Sequence, residues 1–129
     1  MTDKILVADD TKPVLDTFVR GLEHFCEGLK ILQAGTRKQA LAVIAENDDL
    51  KVVVTDLCMP HSSDGEAVAG AALEKGIKVI VLSSSVRNLS EEVGERCFRV
   101  LDKLDTDIKD LARVVKEALD NHGGMGMDM

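Results

Sequence analysis

The sequence predicts an α/β protein with a doubly wound, five-stranded parallel sheet and five helices. Short apolar segments alternate with amphipathic segments along the whole chain. The apolar segments show little alternation of polar and apolar residues, which is typical of strands buried on both faces. Five such strands joined by helices through short connections favour a parallel sheet covered on both sides. The 129 residues suit one domain, predicted over residues 1–122 with a disordered tail at 123–129.

The first half of the chain supplies three of the predicted strands and two of the helices. The predicted strands are Lys4–Val7, Lys30–Ala34 and Lys51–Thr55. Helix one follows Pro13, because apolar residues recur there at helical spacing as far as Cys26. Helix two is predicted from the capping-box pattern of Thr36 and Gln39, followed by an apolar stripe.

The second half continues the same alternation. Strands four and five are predicted at Lys78–Leu82 and Phe98–Leu101, and helix three at Glu66–Lys75 with a capping Gly76. A short fourth helix would follow a Ser90 cap, and Thr106 would open the last helix. The acidic residues around Lys103 are interpreted as charge at the start of that last helix: Asp102, Asp105, Asp107 and Asp110.

Composition excludes several classes of function. With 16 Lys and Arg against 23 Asp and Glu, the formal net charge is −7, which argues against nucleic-acid binding and against docking on anionic membranes. No apolar run approaches the length of a bilayer, and the N-terminus lacks the pattern of a signal peptide. Cys26, Cys58 and Cys97 match no zinc, redox or disulfide spacing, so we expect a reducing cytoplasm.

Acidic residues follow two of the predicted strands. In the flavodoxin-like strand order 2-1-3-4-5, strands one and three are neighbours and their carboxyl ends form a ligand site. Asp9 and Asp10 end strand one, and Asp56 ends strand three. Three carboxylates in one pocket repel each other, and a divalent cation relieves that repulsion. A few carboxylates with water favour Mg²⁺.

Two more polar side chains are expected at the same edge of the sheet. Ser83 follows strand four, and Lys103 follows strand five. A metal ion, a carboxylate nucleophile, a hydroxyl and a fixed cation together indicate phosphoryl-transfer chemistry.

Four motifs occur in an order and spacing that point to a known family. Strand one ends in ILVADD, strand three carries VVVTDLCMP followed by Gly65, strand four is VIVLSS and strand five ends in VLDK. Through these motifs, residues 4 to about 121 resemble the receiver domain of two-component response regulators of the chemotaxis-regulator type. Each motif alone is weak, whereas all four in this order and rhythm are specific.

The resemblance implies a role for each residue of the site. Asp56 would accept a phosphoryl group, Ser83 would hydrogen-bond that group, and Lys103 would pair with it. The resemblance also implies a Mg²⁺ ion. Asp10 and Asp56 would bind it directly, Asp9 would hold it partly through water, and the backbone carbonyl of Cys58 would complete the site.

The chain departs from the resembled family at four places. Leu104 follows Lys103 where the family usually has proline. Val100 stands where strand five usually carries Tyr or Phe, and Ser84 replaces a common Ala. Ser85–Cys97 is short for a loop followed by a helix.

The resemblance implies a stand-alone signalling module rather than an enzyme. A histidine kinase or phosphotransfer protein would be the phosphodonor, an unknown protein the target, and the chain a monomer or weak dimer. Three alternatives stay open: a degenerate receiver that binds partners without phosphorylation, a haloacid-dehalogenase-like phosphatase, and a flavin carrier. The phosphatase would need a D-x-D motif, but Cys58 stands two residues after Asp56. The flavin carrier would need a hydroxyl-rich loop where the chain has Asp9 and Asp10.

Overall fold

The computed structural model describes residues 3–59, 61–84 and 89–120. Within them, five strands form one sheet in the order β2-β1-β3-β4-β5, and every neighbouring pair is parallel. The strands are β1 (Asp3–Ala8), β2 (Leu29–Ala34), β3 (Leu50–Thr55), β4 (Lys78–Ser83) and β5 (Arg99–Asp102). The predicted fold class and strand order are confirmed.

Five helices among the described residues cover the two faces of this sheet. They are α1 (Lys12–Phe25), α2 (Arg37–Glu46), α3 (Ser62–Glu74), α4 (Glu91–Arg96) and α5 (Ile108–Asp120). Successive side chains of a strand point to opposite faces, so each strand contributes side chains to the core on both faces of the sheet. Val52 and Val54 of β3 pack in the core beneath α1 and α5, while Val53 packs in the core beneath α2 and α3. Because both faces are covered, β1, β3 and β4 are buried along most of their length, as predicted, whereas the edge strands β2 and β5 are mostly unburied.

Two predicted helix starts are wrong. Helix α3 begins at Ser62 rather than Glu66, because the backbone N–H of His61 donates to the carboxylate of Asp64 at 3.0 Å and so closes the first turn early. Helix α5 begins at Ile108 rather than at Thr106. Its first turn is closed by Asp107, whose carboxylate accepts the N–H of Asp110 at 2.8 Å.

The caps of α2 and α4 follow the sequence more closely. The Thr36 hydroxyl accepts the N–H of Gln39, as predicted. The Gln39 side chain, however, accepts the N–H of Gly35 rather than that of Thr36, which differs from a reciprocal capping box. The hydroxyl of Ser90 accepts the N–H of Val93 and caps α4.

Two predicted segments lie wholly or partly outside the described residues. The tail predicted at 123–129 lies outside them, and so do residues 85–88. The part of Ser85–Cys97 that is described contains α4, a helix of six residues with no buried side chain. Among the described residues, no helix combines the length and the hydropathy needed to cross a bilayer.

Candidate functional site

Three carboxylates meet at the carboxyl ends of β1 and β3. One carboxylate oxygen from each of Asp9, Asp10 and Asp56 lies within 4.8 Å of the other two. The backbone brings them together, because the N–H of Asp9 donates to Ala34 of β2 and the N–H of Asp56 donates to Ala8 of β1. Asp9 and Asp56 are buried, whereas Asp10 is exposed and opens the cluster to solvent. This set of oxygen donors fits a hard divalent cation such as Mg²⁺.

Lys103 places its ammonium between two of these carboxylates. Its Nζ lies 2.8 Å from Oδ2 of Asp9 and 3.2 Å from Oδ2 of Asp56. Burial lowers the pKa of Lys103, but the hydrogen bond to Asp9 and the charges of Asp56 and Asp9 outweigh it, so that the pKa lies above its ordinary value. The lysine is therefore protonated and positively charged at neutral pH.

Asp9 has a different environment from Asp10. Its Oδ1 accepts the backbone N–H of Thr11 at 2.9 Å, and its Oδ2 accepts the Lys103 ammonium. Both oxygens of Asp9 thus already hold a donor of the protein. The exposed Asp10 is better placed for direct contact with a cation from solvent, and Asp9 for holding the lysine.

A close backbone approach fixes the chain that follows Asp56. The hydroxyl of Thr55 donates to the Asp56 carbonyl oxygen at 2.8 Å, and the N–H of Gly65 donates to the Leu57 carbonyl oxygen at 2.8 Å. A Cβ atom on Gly65 would collide with the backbone of Asp56 and Leu57. Only glycine allows the start of α3 to pack directly on the chain that carries the candidate phosphoacceptor.

The structure puts the two remaining predicted site residues at the same edge. Ser83 ends β4, is buried, and lies two residues beyond Val81, the register partner of Thr55. Cys58 is half-buried and lies two residues beyond Asp56. The roles predicted for the Ser83 hydroxyl and the Cys58 carbonyl stay predictions.

The replacement of proline by Leu104 leaves Lys103 in contact with the carboxylates. The Leu104 side chain is 84% exposed, while its backbone N–H donates to Oδ1 of Asp102 at 2.9 Å. Sequence reasoning assigned Asp102 only to the charge at the start of a helix and missed this contact. The sequence did contain a signal for this contact. An Asp two residues before a residue with a free backbone N–H has the spacing of an Asx turn, and Leu104, unlike proline, has that N–H.

Comparisons with known proteins agree with the fold that carries this site. Neither a model of a protein family nor a curated protein matches the chain. Solved structures do match. A response regulator receiver domain protein from Clostridium thermocellum is 26% identical, with a TM-score of 0.76 over 92% of this chain and 95% of that one. A CheY-like receiver domain protein from Methanospirillum hungatei is 26% identical, with a TM-score of 0.75 over 94% and 96% of the two chains.

A third similar structure was solved with ligands. The response regulator protein TrrA from Thermotoga maritima, in complex with Mg²⁺-BeF, is 25% identical, with a TM-score of 0.77 over 91% of this chain and 99% of that one. In each of these three comparisons, the matched region covers more than nine-tenths of this chain and of the other chain. They confirm the resemblance that the four motifs predicted.

Proposed function

We propose that this chain, which has the fold of the response regulator receiver domains, accepts a phosphoryl group on Asp56 and thereby changes its binding to a partner protein. The observation that carries the proposal is the contact of Lys103 with two buried carboxylates beside the exposed Asp10. A histidine kinase or a phosphotransfer protein would supply the phosphoryl group. We also propose a cytoplasmic location and a monomer or weak dimer, as the sequence leads us to expect.

The proposed reaction is a phosphoryl transfer to a carboxylate. An oxygen of Asp56 attacks the phosphorus, the bond from phosphorus to the donor's leaving atom breaks, and that atom keeps the electron pair. An acyl phosphate forms on Asp56. Lys103 already lies 3.2 Å from Asp56 and remains protonated, so it can pair with the phosphoryl oxygens without rearranging far.

The acidic cluster supports a requirement for Mg²⁺. Asp10 and Asp56 would hold the ion directly, Asp9 would hold it partly through water, and the Cys58 carbonyl would be the remaining protein ligand. When bound, the cation neutralises charge on the phosphoryl oxygens. The chain's part is to keep Asp9 and Asp56 buried directly after the ends of β1 and β3 and to leave Asp10 accessible. The TrrA structure with Mg²⁺-BeF supports this assignment by similarity.

Phosphorylation would act as an electrostatic switch. A phosphoryl group changes the local charge by about −1.5 to −2 beside Lys103. The Ser83 hydroxyl would then move toward the new group and hydrogen-bond it, and the edge formed by β4 and α4 would shift with it. A change of this kind biases a two-state element and alters the surface offered to a partner.

Intact-protein mass after incubation with acetyl phosphate and Mg²⁺ tests the proposal. We expect one added phosphoryl group in the wild type, and none in Asp56→Ala or without Mg²⁺. A matched control, Asp105→Ala, removes an exposed carboxylate and should be phosphorylated normally. Circular dichroism should show that all variants remain folded.

Two outcomes would contradict the proposal. An adduct that persists in Asp56→Ala would place the phosphoacceptor elsewhere. A wild type that neither forms an adduct nor binds beryllofluoride with Mg²⁺ would favour a degenerate receiver that binds partners without phosphorylation.

A further inference from the structure

The loop after β5 holds Lys103 without the proline that usually follows this lysine in the resembled family. Leu104 stands at that position, and its side chain is 84% exposed. The side chain of Leu104 therefore contributes little packing to the loop. Something else must hold the turn, since the four-carbon stem of a lysine is flexible.

Asp102 makes the contacts that close this turn. Its Oδ1 accepts the N–H of Leu104 at 2.9 Å, and its carbonyl oxygen accepts the N–H of Asp105 at 3.1 Å. The N–H of Lys103 donates to Ser83 of β4 at 3.0 Å. Three successive amides after Asp102 thus have defined acceptors, and the middle one depends on a side chain. A proline at 104 would have no N–H to offer.

We propose that Asp102 is a positioning residue for Lys103, holding the turn that presents the ammonium to Asp9 and Asp56. The N–H of Asp9 donates to Ala34 of β2 and the N–H of Asp56 donates to Ala8 of β1, so the backbone of these two residues is held and does not follow a displaced lysine. The turn therefore decides whether the ammonium lies between them. This inference rests on the proposed function for its catalytic consequence, but not for the placement of the lysine.

Three substitutions separate the side-chain hydrogen bond from the charge. Asp102→Asn keeps an oxygen at the same distance from the backbone and loses the charge. Asp102→Glu keeps the charge, but its longer side chain cannot form the same turn with the residue two positions on. Asp102→Ala loses both. Asp105→Ala is the control, because Asp105 is an exposed carboxylate in the same turn.

The first readout is independent of phosphorylation. Each protein is treated with a small amine-acylating reagent, and the modification of Lys103 is followed by peptide mass spectrometry. We expect Lys103 to react severalfold faster in Asp102→Ala and Asp102→Glu, because its ammonium is no longer held by two carboxylates. Asp102→Asn and Asp105→Ala should react as the wild type does. Equal rates in Asp102→Glu and wild type would overturn the proposal.

The second readout is the rate of phosphorylation at saturating acetyl phosphate and Mg²⁺. Displacing a charge-stabilising group costs roughly tenfold or more in rate, so we expect that loss in Asp102→Glu and Asp102→Ala. Asp102→Asn should restore the rate, and the donor concentration at half-saturation should change little. If Asp102→Ala does not fold, the comparison of Asp102→Asn with Asp102→Glu still shows whether the side-chain hydrogen bond or the charge is needed.

The two proposals fail in different ways. A wild type that is never phosphorylated contradicts the proposed function, while the acylation pattern still tests the role of Asp102. A slow Asp102→Asn variant with wild-type acylation of Lys103 would show that the charge of Asp102 matters and the turn does not, which also overturns the inference.

Discussion

The centre of the sheet and the edge formed by β5 and α4 are built differently. In β1 and β3 the residues that lead into the acidic cluster are at most 2% exposed, from Ile5 to Ala8 and from Val52 to Thr55. At the edge, β5 has four residues and none is buried, while α4 buries no side chain. Val100 is 37% exposed there, and Leu104 is 84% exposed.

This difference divides the candidate site into a fixed part and an adjustable part. Asp9 and Asp56 come from the buried centre, where the backbone N–H of each donates to a neighbouring strand, that of Asp9 to β2 and that of Asp56 to β1. Lys103 comes from the thin edge, through a turn. A group bound to Asp56 cannot easily displace β3, because that strand is buried. It can attract Lys103 and so displace the turn and the edge strand that carry this lysine. Under the proposed function, we therefore expect changes in partner binding to arise on the side of β5 and α4.

The largest effect on stability is expected where α3 packs on the backbone that follows β3. Gly65→Ala adds a Cβ that collides with the backbone of Asp56 and Leu57, and backbone atoms cannot rotate away. We expect a loss of about 3 kcal/mol or more in the free energy of unfolding. Gly70→Ala in the same helix has no atom within 4 Å of the new Cβ. This control should be neutral or up to about 1 kcal/mol more stable.

Urea unfolding of both variants measures this difference. A Gly65→Ala variant as stable as Gly70→Ala would mean that the chain after Asp56 can shift, and the division into fixed and adjustable parts would be wrong.

Removing the Lys103 ammonium tests how far the buried carboxylates depend on the charge that the edge supplies. Lys103→Met leaves the buried carboxylates of Asp9 and Asp56 without their ammonium. We expect a loss of about 2–3 kcal/mol in Mg²⁺-free buffer at pH 7, because an unpaired buried charge is costly. Lys12→Met, at a lysine whose side chain is 81% exposed, should change stability by less than about 0.5 kcal/mol.

Calorimetric titration with Mg²⁺ adds a second test of Lys103→Met. The variant should bind Mg²⁺ at least as well as the wild type, since a positive charge beside the cluster has been removed. A greatly weakened affinity would mean that the lysine organises the metal ligands rather than competing with the ion.

The same division explains what the sequence predicts well. The run of three valines in Lys51–Thr55 is buried on both faces, and such a run predicts a central strand and places Asp56 at its end. The start of α3 is less predictable, because Gly65 disfavours a helix locally and is required only by contact with Asp56 and Leu57. The contact of Lys103 with Asp9 joins residues 94 positions apart, and the turn beside the lysine is closed by the side chain of Asp102. The acidic residues around Lys103 indicate negative charge in that segment, but the composition does not indicate which of their carboxylates closes the turn.

Equivalent truncations in the two regions should have unequal effects. Val54→Ala removes two methyl groups from a side chain that is 2% exposed, and we expect a loss of about 2 kcal/mol. Val100→Ala makes the same change at a side chain that is 37% exposed, and we expect less than about 0.5 kcal/mol. Thermal unfolding of both variants measures the contrast. Equal losses would mean that the β5 edge is covered in solution, for example by a second copy of the chain.

The prediction that leaves stability at neutral pH unchanged concerns Cys97, which follows α4 and packs partly against the core. Burial raises the pKa of this thiol to about 11, although the charge of Arg96 acts in the opposite direction. Because the thiolate is the reactive form, Cys97 should be alkylated by iodoacetamide slowly at pH 8, with a rate that rises until the pH approaches 11. In the urea-unfolded chain the same thiol should react about 100-fold faster at pH 8, since its pKa returns to the ordinary value near 9.0.

The sign of the pKa shift also gives the direction of a stability change. The folded chain disfavours the thiolate, so the contribution of Cys97 to stability is complete below about pH 9 and is lost as the pH rises towards 11. Cys97→Ala should remove this pH dependence from the free energy of unfolding. A native Cys97 that reacts as fast as the unfolded thiol at pH 8 would show that α4 opens readily, and the adjustable part of the molecule would then extend from the Lys103 turn through the whole of that helix.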